Sequence, residues 1–318
     1  MKYYDHCPAC KSANISQIEE IKMQTVLQAM QIPEHIYSGV AENNSQIGEI
    51  PDTIYLSRCQ NCGLEFANPM FIATGDFYAY MQEDDSYYSD RWEFNHTLRD
   101  LPDNANILDI GCGEGRFLEL ANQRGHQAIG LEFNQTALKK ARAKGLQVYS
   151  HDLQQISSQV SQKFDAVVFF HVIEHLDNLD QFFYDLSNLV TLGTPLYFSC
   201  PSPIRYSQYL EPHLLVGQKE FWDYPPHHQT RWNQKNIDLF LERMGWQLLK
   251  YETEPFDWRG VATKLTNNYL VSRGLSLQNL SPLKRKVYIL LTMLKLIIPA
   301  MKYSGLSLFC KARLVRHN

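Results

Sequence analysis

The sequence predicts an α/β protein: a doubly wound, mostly parallel sheet with helices on both faces, preceded by a small cysteine-bearing module. Three observations predict it. From residue 104 onward, short apolar runs alternate with amphipathic stretches in the βα order that builds a parallel sheet. The run Ile107-Leu108-Asp109-Ile110 enters a glycine turn, Gly111-Cys112-Gly113-Glu114-Gly115. A helical pattern of Phe117, Leu118, Leu120 and Ala121 follows and is closed by Gly125. Before residue 70 stand two C-x-x-C pairs, Cys7 with Cys10 and Cys59 with Cys62.

The cysteine pairs come first in the chain. Each offers two thiolates from one tight turn, and together they make the four soft ligands of a tetrahedral structural zinc site. This marks residues 1–70 as a zinc-binding module. The 48 residues between the pairs exceed the ~15–20 of compact ribbons, so an inserted element is expected, a helix over Ile18–Met30. A redox C-x-x-C belongs at a strand-to-helix turn, which neither pair occupies. Cys112, Cys200 and Cys310 are isolated and read as packing residues, apart from what the glycine turn asks of Cys112.

Residues 71–103, with Phe77, Tyr78, Tyr80, Tyr87, Tyr88, Trp92 and Phe94, read as a helical bridge onto the sheet or as a lid. Beyond them the pattern predicts strands at 106–110, 127–131, 146–150, 164–170 and 195–200. Helices are expected at 115–124, 135–144, 178–191 and 234–244, and two further strands at Trp246–Glu254 and Leu306–Leu314. Between those last two lies an insertion at about 255–304. In it Leu283, Val287, Leu290, Leu291, Leu294, Ile297, Ile298 and Met301 recur at helical spacing, and Pro299 kinks the end. The stretch reads first as a core helix; an interfacial membrane helix is the alternative, since Arg285, Lys286 and Lys302 flank it.

The glycine turn specifies its ligand by exclusion. The spacing is G-x-G-x-G with Arg116 in the sixth place, so the dinucleotide pattern fails, and no Gly-Lys-Ser/Thr follows to make a phosphate loop. Asp109 would repel a pyrophosphate and pair with an ammonium. An adenosyl ligand with a positive amine and no phosphate fits: S-adenosylmethionine. Glu132 ends the next strand 17 residues after Gly115, near the ~20 at which an acid meets a ribose diol.

With these residues, and with His151-Asp152-Leu153 and the run from Phe164 to Leu176, the chain resembles the class I S-adenosylmethionine-dependent methyltransferases over residues 104–254. The resemblance implies a Rossmann-like, seven-stranded methyltransferase sheet over 104–318. It implies cofactor contacts from Asp109, Gly111, Cys112, Gly113, Glu132, Phe133, Asp152, Leu153 and His171. The cysteine module and the tyrosine-rich stretch are similar to those of sugar C-methyltransferases. That similarity implies a catalytic histidine in the loop before the helix at 234, where this chain has Pro225-Pro226-His227-His228. His228 is thus the candidate base, with His175 of the Glu174-His175 pair a second catalytic candidate. Arg231 suits a phosphate or carboxylate of the acceptor, or a nearby acid of the chain itself.

Hydrophobic residues make up 44% and charged residues 20% of 318, the balance of a globular protein with a sizeable core. The first residues show no apolar leader and the thiols read as reduced, so the expected location is cytoplasmic. Charge is segregated: after Asp257 there are eleven basic residues and no acid, against 19 basic and 34 acidic before. That tail either docks on the acidic body or meets an anionic partner, such as a membrane surface. The acceptor is expected to be a small or lipid-linked molecule, such as a sugar, with or without a phosphate. An RNA or protein methyltransferase and a non-catalytic binding protein are the alternatives. No Asn-Pro-Pro-Tyr-like motif stands at His171-Val172-Ile173-Glu174, which argues against nucleic acid.

Overall fold

The computed structural model describes residues 2–32, 51–71, 77, 90–159, 163–211, 214–297 and 302–317. Its N-terminal part runs β1 (Ile15–Lys22), α1 (Met23–Ala29), β2 (Thr53–Cys59) and β3 (Glu65–Ala67), and α2 (Trp92–Asp100) leads into the main sheet. The alternation is then β4 (Asn106–Ile110), α3 (Arg116–Gln123), β5 (Gln127–Leu131), α4 (Gln135–Ala143), β6 (Val148–Tyr149), α5 (Leu153–Gln159), β7 (Ala166–Phe170), α6 (Leu179–Asn188) and β8 (Pro195–Pro201). A loop region with α7 (Ser207–Leu210), β9 (Leu215–Val216), β10 (Lys219–Glu220) and β11 (Thr230–Arg231) precedes α8 (Gln234–Arg243) and β12 (Trp246–Thr253). Helices α9 (Trp258–Val271) and α10 (Pro282–Lys295) form the insertion, and β13 (Ser307–Leu314) ends the sheet.

Seven strands pair in the order β12-β13-β8-β7-β4-β5-β6. The five from β6 to β8 are parallel, and β13 lies antiparallel to both neighbours. Ala166–Phe170 are buried on both faces, the signature of a strand covered on two sides. Parallel strands deliver their carboxyl ends to one edge, and the order reverses between β7 and β4, opening a crevice there. The glycine turn leaves β4 at that crevice.

The insertion between the cysteine pairs departs from expectation. Residues 15–22 form a strand, and only Met23–Ala29 is helical. Pairing with β2 outweighs the weak helical spacing, and a bulge between Gln17 and Glu19 absorbs the irregular placing of the isoleucines. The four-stranded sheet β1-β2-β3-β11 takes its last strand from far along the chain, so the cysteine module and the loop after β10 are one structure.

The expected core helix in the insertion is also corrected. No described residue of Pro282–Lys295 is buried. Only one side, through Ile289, Met293 and Leu296, packs against Val261, Ala262 and Leu265. Ile298, Pro299 and Met301 of that expectation, and Tyr78, Tyr80, Tyr87 and Tyr88 of the bridge, lie outside the described residues.

Candidate active site

The turn after β4 needs its glycines twice over. Gly111 (φ 73°), Gly113 (φ 56°) and Gly115 (φ 81°) take left-handed backbone. A Cβ at Gly111 would also stand 2.7 Å from Val172 Cγ2. The loop is laced to the end of β5: Gly111 and Cys112 N–H donate to Leu131 O at 2.8 and 3.1 Å. Glu132 braces it further, Oε2 accepting from Gly113 N–H (2.9 Å) and Oε1 from Asn134 N–H (2.7 Å). The ribose-binding acid of the sequence reading is thus also the clamp of the glycine loop.

Behind the loop, Asp109 is 1% exposed and its Oδ1 has no hydrogen-bond partner among the described residues. Burial, and then the neighbouring Glu132, push its carboxyl well above the usual range. A buried, unsatisfied carboxylate is costly, and a cationic group relieves it. An ammonium-bearing ligand in the crevice therefore fits this chain's own residues. Of the other expected contacts, Phe133 is exposed and Leu153 buried. Cys112 is buried against Gly130, where any Cβ would collide with its Sγ. Asp152 Oδ1 accepts from Gln155 N–H at 2.7 Å, within the first turn of α5.

His171 ends β7 with φ 56°, and both ring nitrogens face carboxylates, Nε2 at 3.4 Å from Glu93 and Nδ1 at 3.3 Å from Glu174. Burial and Arg91 oppose its charge, but the two carboxylates prevail and its pKa is raised. Burial likewise opposes the charge of Glu174, yet contact with His171 brings that carboxyl to about 2. The cofactor role expected of His171 therefore competes with a place in a buried charge cluster.

The second histidine group is held differently. Gln229 N–H donates to Glu174 O (2.7 Å), which draws the Pro225–His228 loop against the turn after β7. His175 Nδ1 meets His227 O at 2.6 Å, His227 Nδ1 meets Trp222 O at 3.1 Å, and His228 Nδ1 meets Asp223 Oδ1 at 3.4 Å. Carbonyl and carboxylate oxygens only accept, so each Nδ1 carries a proton, and in the neutral ring the lone pair is on Nε2. Burial lowers His175 to about 4 and takes His227 well below its ordinary value. His175 and His228 ring centroids are 5.0 Å apart, and His227 stacks on His228 at 4.2 Å. The ligand atoms of the trio lie within 4.8 Å of one another, a metal-competent grouping.

Beside His228 is a polar cavity of about 150 Å³ lined by Arg205, Lys219, Asp223, Thr230, Arg231 and Trp232. Arg205 is buried and bonds Glu220 (2.7 Å) and Asp223. Burial would raise the Asp223 carboxyl, but Arg205 and then His228 hold it well below the usual range. Sequence reasoning missed Arg205, Asp223 and Glu93. The available signals were a polar loop at the carboxyl end of β8 and an acid two residues before Pro225. Arg231, weighed as an anion binder, pairs with Glu65 at 3.2 Å and bonds Asp223 O.

Cys7, Cys10, Cys59 and Cys62 converge from two knuckles, with Cys7–Cys62 and Cys10–Cys59 sulfurs 3.6 Å apart. Tetrahedral ligation at Zn–S ≈ 2.3 Å puts sulfurs ~3.7 Å apart, so the four thiols fit zinc with little movement. Gly63 (φ 77°) closes the second knuckle, its N–H bonded to Cys59 O at 2.9 Å.

Comparison with known proteins gives a match of the methyltransferase-domain family model to residues 81–251, more than half of the chain. The chain is similar to "Ubiquinone biosynthesis O-methyltransferase, mitochondrial" of Dictyostelium discoideum, 24% identical over 53% of this chain and 59% of that one. It is also similar to "Ubiquinone biosynthesis O-methyltransferase" of Alkalilimnicola ehrlichii, 26% identical over 45% of this chain and 63% of that one. The matched region thus spans less than two thirds of either relative. Among solved structures, a SAM-dependent methyltransferase from Archaeoglobus fulgidus superposes with a TM-score of 0.49 at 19% identity, covering 74% of this chain and 99% of the other.

Proposed function

This chain belongs to the methyltransferase-domain family, and on that premise we propose that it transfers a methyl group from S-adenosylmethionine to a small or lipid-linked acceptor. The observation that carries the reading is the buried, unpartnered Oδ1 of Asp109 behind a glycine loop at the carboxyl end of β4. Asp109 holds the ammonium, the loop and Phe133 accommodate the adenosyl part, and Glu132 sets the loop for the ribose. When bound, the sulfonium supplies an activated methyl whose leaving group needs no acid.

The chain's remaining task is to align the acceptor and remove its proton. His228 does this: Asp223 holds its Nδ1–H, so Nε2 takes the proton of an acceptor seated in the adjoining cavity. The acceptor–methyl bond would form as the sulfur–methyl bond breaks, the electron pair of that bond staying on the departing, now neutral thioether, while the acceptor's proton passes to His228 Nε2. The names of both relatives specify transfer to oxygen, which supports a hydroxyl acceptor. Four cysteines at ligating separation support one structural zinc.

Calorimetry tests the reading. S-adenosylmethionine should bind the wild type, and Asp109→Asn should lose about 1.5–3 kcal/mol of that affinity, the worth of a charged hydrogen bond. The same change should raise the melting temperature of the ligand-free protein near neutral pH, because it removes the cost of burying a carboxyl that ionises freely in the unfolded chain and is held toward its neutral form in the folded one. Unaltered affinity in Asp109→Asn, or preference for NAD over the methyl donor, refutes the assignment.

A further inference from the structure

We infer that the α9–α10 hairpin is a docking surface for an anionic lipid bilayer, on which α10 lies flat. The inference goes beyond the methyltransferase reading and stands without it.

The observation is an apolar stripe facing outward. Leu283, Leu290 and Leu294 are 74%, 57% and 56% exposed, and Val287, Leu291 and Ile297 are exposed with them. At about 100° per residue, these six fall within an arc of roughly 120° on the helix. The opposite side carries Ile289, Met293 and Leu296, which pack on α9, with Thr292 Oγ1 at 2.8 Å from Thr266 Oγ1. Helix α10 is therefore anchored by one face while a complete second apolar face meets solvent. Apolar surface of this kind, contiguous and unpartnered, marks an interaction site.

Charge selects the occupant. The same ~100° step places Lys284 and Lys295 on one border of the stripe and Lys286 on the other. None of the three makes an ion pair among the described residues. Arg285 points elsewhere, its Nε bonded to Leu277 O at 3.1 Å. No acid follows Asp257 anywhere in the chain. An apolar band bordered by lysines is the arrangement that sinks into the acyl boundary while the ammonium groups snorkel to lipid phosphates. No helix among the described residues is long and apolar enough to cross a membrane, so the contact is lateral. A protein partner with an apolar groove would need acids on both rims to match, and a second copy of this face would bring like charges together.

Flotation of the whole protein with phosphatidylcholine vesicles, with and without phosphatidylglycerol, tests this. The wild type should float with the anionic vesicles at low salt and be released as salt rises, since the charges are screened over about 8 Å at physiological ionic strength. The triple change Lys284→Gln, Lys286→Gln, Lys295→Gln should weaken partition by about fivefold per lysine, on the order of 100-fold together. Leu290→Ser with Leu294→Ser should release the protein even at low salt. Both variants should keep wild-type affinity for S-adenosylmethionine and an unchanged far-ultraviolet dichroism, which separates lost docking from lost folding. Three results overturn the proposal. One is a wild type indifferent to anionic vesicles at low salt. Another is a dimer that the leucine changes convert to monomer. The third is lysine-dependent capture of RNA in place of vesicles.

Discussion

His171 and Glu174 show how single residues set conditions for the whole site. Glu174 is buried and His171 half-buried, each desolvated against its own charge, and each is held toward its charged form by its partner. A carboxyl lowered to about 2 contributes stability that is present above its unfolded pKa and lost as pH falls toward 2. An imidazole raised by its neighbours contributes stability below about 6.5 that is lost as pH rises through its folded value. The pair therefore stabilises most between about pH 4.5 and 6.5. Glu174→Gln should cost about 3–5 kcal/mol in that window, the penalty of a broken buried pair. It should also drop the His171 titration seen by NMR. A flat difference in stability across pH would contradict this account. The sequence displayed Glu174 and His171, but Glu93, which completes the cluster from another helix, could be found only by folding.

At the scale of elements, strand β5 owes its fit to one glycine. A Cβ at Gly130 would collide with Cys112 Sγ and approach Leu118 Cδ1 to 2.9 Å. Gly130→Ala should therefore destabilise the protein by about 1–3 kcal/mol, the usual cost of overpacking. Because Cys112 sits in the glycine loop, cofactor affinity should fall with it. Adding Cys112→Ala removes the sulfur, so thermal unfolding should recover part of the loss; no recovery would mean that the strain lies elsewhere. The strands and helices of the main sheet were readable from periodicity because their burial is strong and regular. Segment 15–22 was misread because its pattern is weak on either period, and pairing with a distant strand decided it.

Across the whole molecule, the cysteine module and the histidine loop are joined. Strand β11 extends the module's sheet through β3, and it begins two residues after His228. If the thiols hold zinc, Cys59→Ser should release the one equivalent found by elemental analysis and loosen that sheet. Methyl transfer should then slow more than tenfold while S-adenosylmethionine affinity, set at β4 and β5, stays within about twofold. Equal losses of both would show that the module supports the entire fold and not the acceptor side. By itself the sequence determined the α/β class, the glycine loop with Asp109 and Glu132, the paired knuckles and the two candidate histidines. These are local: a turn, a strand end and a ligand spacing each fit within a few residues, and their chemistry follows from residue type. Only the tertiary structure decided that Asp109 is left unpartnered, that Asp223 orients His228 between buried Arg205 and the cavity, and that α10 turns an apolar face outward. Each of those depends on which distant groups arrive at the same place, because burial and pairing are properties of the packed chain.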